Sequence, residues 1–144
     1  MGLSVISRDK LSSCHSDLQK VFAAAGEILP LVIVCGYRGK EAQETAVAAG
    51  NSKTPYPQSK HNCEPSRAVD FAPYDSFVKG RIDWGDTKRF YYFAGIIQGI
   101  AYRELGHFLR YGGDWNGDTA LKDNRFNDLG HFEMPAEEPL PANP

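Results

Sequence analysis

A chain of 144 residues with 42% hydrophobic and 24% charged side chains has the length and make-up of one globular domain with its own core. A formal net charge of −2 gives no electrostatic drive toward nucleic acid and no attraction toward an anionic cell wall. No run is long and apolar enough to span a bilayer, and the N-terminus lacks the basic-then-apolar pattern of a secretory signal.

In chain order, Leu11, Cys14, Leu18, Val21, Phe22 and Ala25 recur at helical spacing and predict one amphipathic helix over about Asp9 to Ala25. Pro30 closes that region. Leu31-Val32-Ile33-Val34-Cys35 is a short, mostly β-branched run ended by Gly36, which suits a buried strand and delivers Arg38 just past its end. The alanine-rich stretch Glu41 to Ala49 favours helix. Asn51 to Ser59, with Pro55 and Pro57, is a loop.

Arg67 to Phe71 is a second strand candidate, turned at Pro73. Asp83 or Asp86 can cap a following helix whose Phe90, Phe93, Ile96, Ile97, Ile100 and Leu105 make a wide apolar face, that of a central core helix. Gly95 and Gly99 on it would allow a neighbouring element to pack closely. Phe108 to Tyr111 and His131 to Met134 are short strands joined by a Gly/Asp/Asn-rich loop. Helices and strands mix without a regular βαβ rhythm, which predicts an α+β fold with a small, mainly antiparallel sheet packed with helices. Residues 1–134 form the expected single domain, and the Pro-rich acidic stretch 135–144 is expected to be a disordered tail. No room remains for a separate wall-binding module.

Three cysteines, Cys14, Cys35 and Cys63, lie at wide spacings without a C-x-x-C pair, so plain reduced thiols are expected rather than a disulfide framework or a structural zinc knuckle. The chemistry concentrates elsewhere. A hydrolytic zinc ion takes three His/Asp/Glu ligands and leaves a position open for water. His61, Asp70 and His131 can supply the three, and Asp70 lies in an apolar strand where a carboxylate needs a partner. Asp128 is then a spare carboxylate able to accept a proton from water. Glu133, two residues beyond His131 on a strand, shares its face and can orient its imidazole. Arg38 is a candidate stabiliser of negative charge on a reacting carbonyl oxygen. Alternating Asp114, Asn116 and Asp118 have the spacing of oxygen ligands, although the glycine and closing glutamate of a calcium loop are missing; a regulatory Ca2+ is the alternative to a plain turn.

Ser59-x-His61, Ala68-x-Asp70 and Asp128-x-x-His131 resemble the signature of the zinc D,D-peptidase superfamily, with its Hedgehog/DD-peptidase fold. The run Leu109-Arg110-Tyr111-Gly112-Gly113-Asp114-Trp115-Asn116-Gly117-Asp118 is similar to a segment of its phage L-alanyl-D-glutamate endopeptidase (endolysin) branch, and Gly36-Tyr37-Arg38 resembles the family's strand-end arginine motif. The resemblance covers roughly Gly36 to Glu133, with a longer spacing between His61 and Asp70 than is usual in the family. It implies one catalytic Zn2+ held by His61, Asp70 and His131, Asp128 as general base, Arg38 as oxyanion partner and Ser59 beside the substrate. The implied substrate is the peptidoglycan stem peptide, cut by a monomer held in the host bacterial cytoplasm until release to the wall. A D-alanyl-D-alanine carboxypeptidase would share the same metal motif. A two-carboxylate lysozyme or a catalytically dead wall-binding domain are the remaining alternatives.

Overall fold

The computed structural model describes residues 2–136; most of the expected tail lies outside them. The described residues form four α-helices and a four-stranded sheet: α1 Val5–Ser12, α2 Ser16–Ile28, β1 Leu31–Cys35, α3 Lys40–Ala48, β2 Ala68–Pro73, α4 Thr87–Leu105, β3 Arg110–Tyr111 and β4 His131–Glu133. The strand order is β1-β2-β4-β3, and every neighbouring pair is antiparallel. The α+β expectation therefore holds.

The N-terminal region departs from the single predicted helix. Leu11 and Cys14 keep the helical spacing of the apolar positions, yet the chain breaks between Ser12 and Ser16. A long-range contact competes there. His15 N–H donates to the Ser66 carbonyl at 2.7 Å and Ser66 N–H to the Ser13 carbonyl at 2.9 Å. His15 Nδ1 then caps α2 by accepting from Asp17 N–H at 3.1 Å. Strand β3 is also shorter than expected, reaching only Arg110–Tyr111.

Alternation along the strands sorts the sheet into two faces. Phe71 of β2 and Phe132 of β4 point into the helical layer, where Phe22 of α2 and Phe90 of α4 meet them with ring centroids 5.7–6.2 Å apart. All four rings are buried, and truncating one to alanine would cost about 3–5 kcal/mol. Helix α2 presents Leu18, Val21, Phe22 and Ala25 to this core; α4 presents Phe90, Phe93, Ala94, Ile97 and Ala101. Asp86 caps α4, accepting from Arg89 N–H, and Gly106 ends it at φ +79°. Gly95 and Gly99 do not mediate close packing as expected. They lie on the exposed side of α4, and a Cβ at either would meet nothing within 4 Å. The opposite sheet face carries Asp70, His131 and Glu133.

Candidate metal centre and active site

The register of β2 against β4 sets Asp70 directly opposite His131, and Ala68 opposite Glu133. His131 Nδ1 lies 3.0 Å from Asp70 Oδ1, and its Nε2 lies 2.9 Å from Glu133 Oε1. Glu133 is buried, and its other oxygen is 3.4 Å from the Arg110 guanidinium. One imidazole nitrogen is thus held from behind, leaving Nδ1 turned toward Asp70.

His61 reaches the same carboxylate from the other side. It sits in a single 3-10 turn over Lys60–Asn62, capped by Ser59, whose hydroxyl accepts from His61 N–H at 3.2 Å. Its Nδ1 is 2.7 Å from the Gly36 carbonyl, just past β1. A side chain at Gly36 would strike the Lys10 carbonyl, so glycine is what lets this segment lie against α1. His61 Nε2 is buried, 3.2 Å from Asp70 Oδ2, and has no hydrogen-bond partner. The long His61–Asp70 spacing does not separate the two residues. Arg67 N–H returns to the Lys60 carbonyl at 3.0 Å, so the extra chain loops outward.

Asp128 stands at the rim, its Oδ2 4.0 Å from His131 Nδ1. Its turn is tied by His131 N–H to the Asp128 carbonyl at 3.1 Å. Gly112 braces both ends, accepting from Asp128 N–H at 2.9 Å and donating to the His131 carbonyl at 2.8 Å. A Cβ at Gly112 would run into the Asp128 carbonyl. Arg38 lies 3.4 Å from Asp70 Oδ2 and 3.2 Å from Gln43 Oε1. Gln43 is fully buried and anchored to the Thr54 carbonyl at 2.6 Å, while Asn62 donates to the Arg38 carbonyl at 2.8 Å.

The electrostatics follow from this packing. Burial opposes charge on His61, but the Asp70 carboxylate outweighs it and raises the imidazole from 6.5 to about 10. His131 is likewise raised to about 9, burial being overcome by its contacts with Asp70 and Glu133. Burial also opposes charge on Asp70; the two imidazoles prevail and hold it far below the ordinary carboxylate range. Asp128 shifts the other way, pushed up by burial and then by the Asp70 charge. Two carboxylates a few ångströms apart are therefore shifted in opposite directions.

These groups line one cleft of about 400 Å3, together with Ser59, Lys53, Arg110, Trp115 and Phe126. Trp115 and Phe126 stack in parallel with centroids 6.5 Å apart, and Lys53 Nζ lies 4.2 Å above the Phe126 ring. Two sets of side chains here have donor atoms close enough to share a metal ion: Cys35, His61 and Asp70, and Asp70, Asp128 and His131. Asp70 belongs to both. Each set has the donor types that fit a divalent ion, with His61 in one and His131 in the other, joined through Asp70.

A model of the phage L-alanyl-D-glutamate peptidase family matches residues 1–135. The chain belongs to that family. It is 35% identical over 134 residues to the L-alanyl-D-glutamate peptidase of Escherichia phage T5, covering 89% of this chain and 93% of that protein. Its fold is similar to the crystal structure of the Serratia marcescens L-Ala D-Glu endopeptidase ChiX, with a TM-score of 0.67 and 27% identity. That match covers 91% of this chain and 87% of the other.

Of the residues singled out from sequence, Arg38, Ser59, His61, Asp70, Asp128, His131 and Glu133 all line this family member's cleft. Asp114, Asn116 and Asp118 lie on the loop behind Trp115. Thr119 N–H donates to Asp114, Ala120 N–H to Asp118, and the Asn116 amide to Asp118. Three participants escaped the sequence reading. Gln43 sits in a stretch that reads as an ordinary exposed helix, Asn62 as a loop residue, and Cys35 as the last residue of a buried strand. Cys63 belongs to neither metal-competent set.

Proposed function

We propose that the chain is a zinc peptidase of peptidoglycan, hydrolysing the stem peptide between L-alanine and D-glutamate. The observation that carries this reading is the convergence on Asp70 of two imidazoles, each held from behind by a fixed acceptor, at the floor of a cleft. His61 through Nε2, Asp70 through its carboxylate and His131 through Nδ1 would hold the ion. Bound zinc supplies a Lewis acid that polarises a carbonyl and makes water nucleophilic near neutral pH.

The remaining work falls to side chains. Asp128, outside the His61–Asp70–His131 cluster and with a raised proton affinity, takes the proton of the attacking water and returns it to the leaving amine. Arg38, held by Gln43 and backed by Asn62, faces the carbonyl oxygen as negative charge builds there. Glu133 and the Gly36 carbonyl keep the two imidazoles in fixed tautomers. Lys53, Lys60 and Arg110 give the cleft wall positive charge suited to the acidic D-glutamate, and Ser59 lies beside the bound peptide.

Wall lysis should therefore disappear on chelation and return with zinc, and His131→Ala should lose both metal and activity. Lysis by metal-free protein would revive a lysozyme mechanism. For the Asp114–Asp118 loop we favour an ordinary turn over a calcium site, because Asp114 Oδ2 and Asp118 Oδ1 each accept a backbone N–H, leaving Asp114 Oδ1 as the buried oxygen without a partner. No helix among the described residues is long and apolar enough to cross a membrane. We infer that the protein acts as a monomer and waits in the host cytoplasm for a separate factor to give it access to the wall.

A further inference from the structure

Strand register places a cation beside the row that holds Asp70 and His131. Arg110 of β3 pairs with Glu133 of β4, and Glu133 pairs in turn with Ala68 of β2. Residues two apart on a strand share a face, so Arg110 stands on the face that carries Asp70 and His131. It lies one side-chain repeat along the sheet from them, about 7 Å. Its guanidinium lines the same cleft.

This guanidinium is held but not saturated. Nε donates to the Trp115 carbonyl at 3.2 Å, and the group lies 5.0 Å above the centroid of the Trp115 ring. Nη1 meets Glu133 Oε2 at 3.4 Å, long for a charge-assisted hydrogen bond, which closes to about 2.7–2.9 Å. The other Glu133 oxygen serves His131. Nη2 has no hydrogen-bond partner among the described residues, and the side chain is 48% exposed. Lys60 also acts on Glu133, so one carboxylate faces two cations and a positive charge is left over.

The reaction proposed above defines a ligand for such a group. D-glutamate has two carboxyls; one carries the stem peptide onward, and the other remains a carboxylate or is amidated. That second group lies only a few bonds from the scissile nitrogen, so it binds close to the Asp70–His131 row whenever the scissile carbonyl does. We propose that Arg110 is a specificity-determining residue that binds the free carboxylate of D-glutamate on the leaving side of the scissile bond. The inference rests on the L-alanyl-D-glutamate reading and adds the charge state of the substrate that the cleft selects. A planar fork with an open nitrogen matches a carboxylate, whereas an amide presents one acceptor where the carboxylate presents two. Lys53 is the weaker fit, because its ammonium is a flexible point charge already placed over the Phe126 ring at 4.2 Å.

Two synthetic stem peptides test the assignment, identical except that this D-glutamate carboxyl is free in one and a primary amide in the other. The quantity read is the ratio of their kcat/KM values. Zinc-loaded wild type should favour the free carboxylate by about tenfold or more, the worth of one hydrogen bond to a charged group. The preference should fall toward unity in Arg110→Gln and in Arg110→Met, recover in part in Arg110→Lys, and survive in Lys53→Gln. Damage relayed through Glu133 to His131 would instead slow both peptides together, keep the ratio and lower the zinc content, and would make Arg110 structural only. A wild type indifferent to amidation would likewise overturn the assignment alone. Cleavage of both peptides at a different bond, or of neither by protein that lyses the wall, would overturn the L-alanyl-D-glutamate reading and this one with it.

Discussion

Asp70 Oδ1 lies 3.0 Å from His131 Nδ1, and the two residues face each other across the antiparallel β2–β4 pair. A sheet register, not a loop conformation, therefore sets the distance between a carboxylate and an imidazole that are 61 positions apart in sequence. Backbone hydrogen bonds hold that distance, so metal loading need not build the site from a disordered segment.

Asp128 can be separated from the ligands by substitution. Asp128→Asn preserves shape and hydrogen bonding but cannot accept the proton of water. The variant should keep one zinc per chain and lose about a hundredfold or more in rate. Loss of the metal instead would make Asp128 a ligand.

Arg38 should be sensitive even to a charge-conserving change. A guanidinium held on one nitrogen by Gln43 and on another by Asp70 presents its remaining donors in a fixed plane. Arg38→Lys and Arg38→Ala should each lower kcat by about a hundredfold while leaving metal content unchanged. A change confined to KM would assign Arg38 to substrate binding rather than to charge stabilisation.

In metal-free protein the two imidazoles are charged near neutrality. His61 rises from 6.5 to about 10 and His131 to about 9, so their pairing with Asp70 contributes stability fully present below about pH 6.5. That contribution is lost as the pH climbs through 9 and 10. Thermal melts of the chelated protein should therefore fall in that alkaline window. Zinc must displace a proton from each imidazole, so loading at pH 7 should release protons and weaken as the pH is lowered. Calorimetry in buffers of different ionisation enthalpy measures the release; none would contradict protonated imidazoles in the empty site.

Much of this was legible before any coordinates. The helical spacing of Leu18, Val21, Phe22 and Ala25, and of Phe90, Phe93, Ile97 and Ile100, marks helices that bury those residues, while Ile96 and Leu105 are only partly buried. His61, Asp70 and His131 stand out as metal-ligand residue types, Asp70 because it lies in an apolar strand, and Asp128 joins them through the resemblance to the superfamily signature. What escaped was set by distant pairing. The α1–α2 break depends on Ser66, more than fifty positions beyond Ser13. Cys35 reaches the site through a bulge visible only once β1 is laid on β2. Gln43 is buried because Arg38, Asn62, Ser52 and Thr54 close around it, and no local pattern announces that.

The most direct test of the central claim is the chemistry of the products. Peptidoglycan digested by the zinc-loaded protein should show, by mass spectrometry, new amino groups on D-glutamate and new carboxylates on L-alanine, with no new reducing sugar ends. Release of free D-alanine alone would make the protein a carboxypeptidase, and new reducing ends would contradict a peptidase outright.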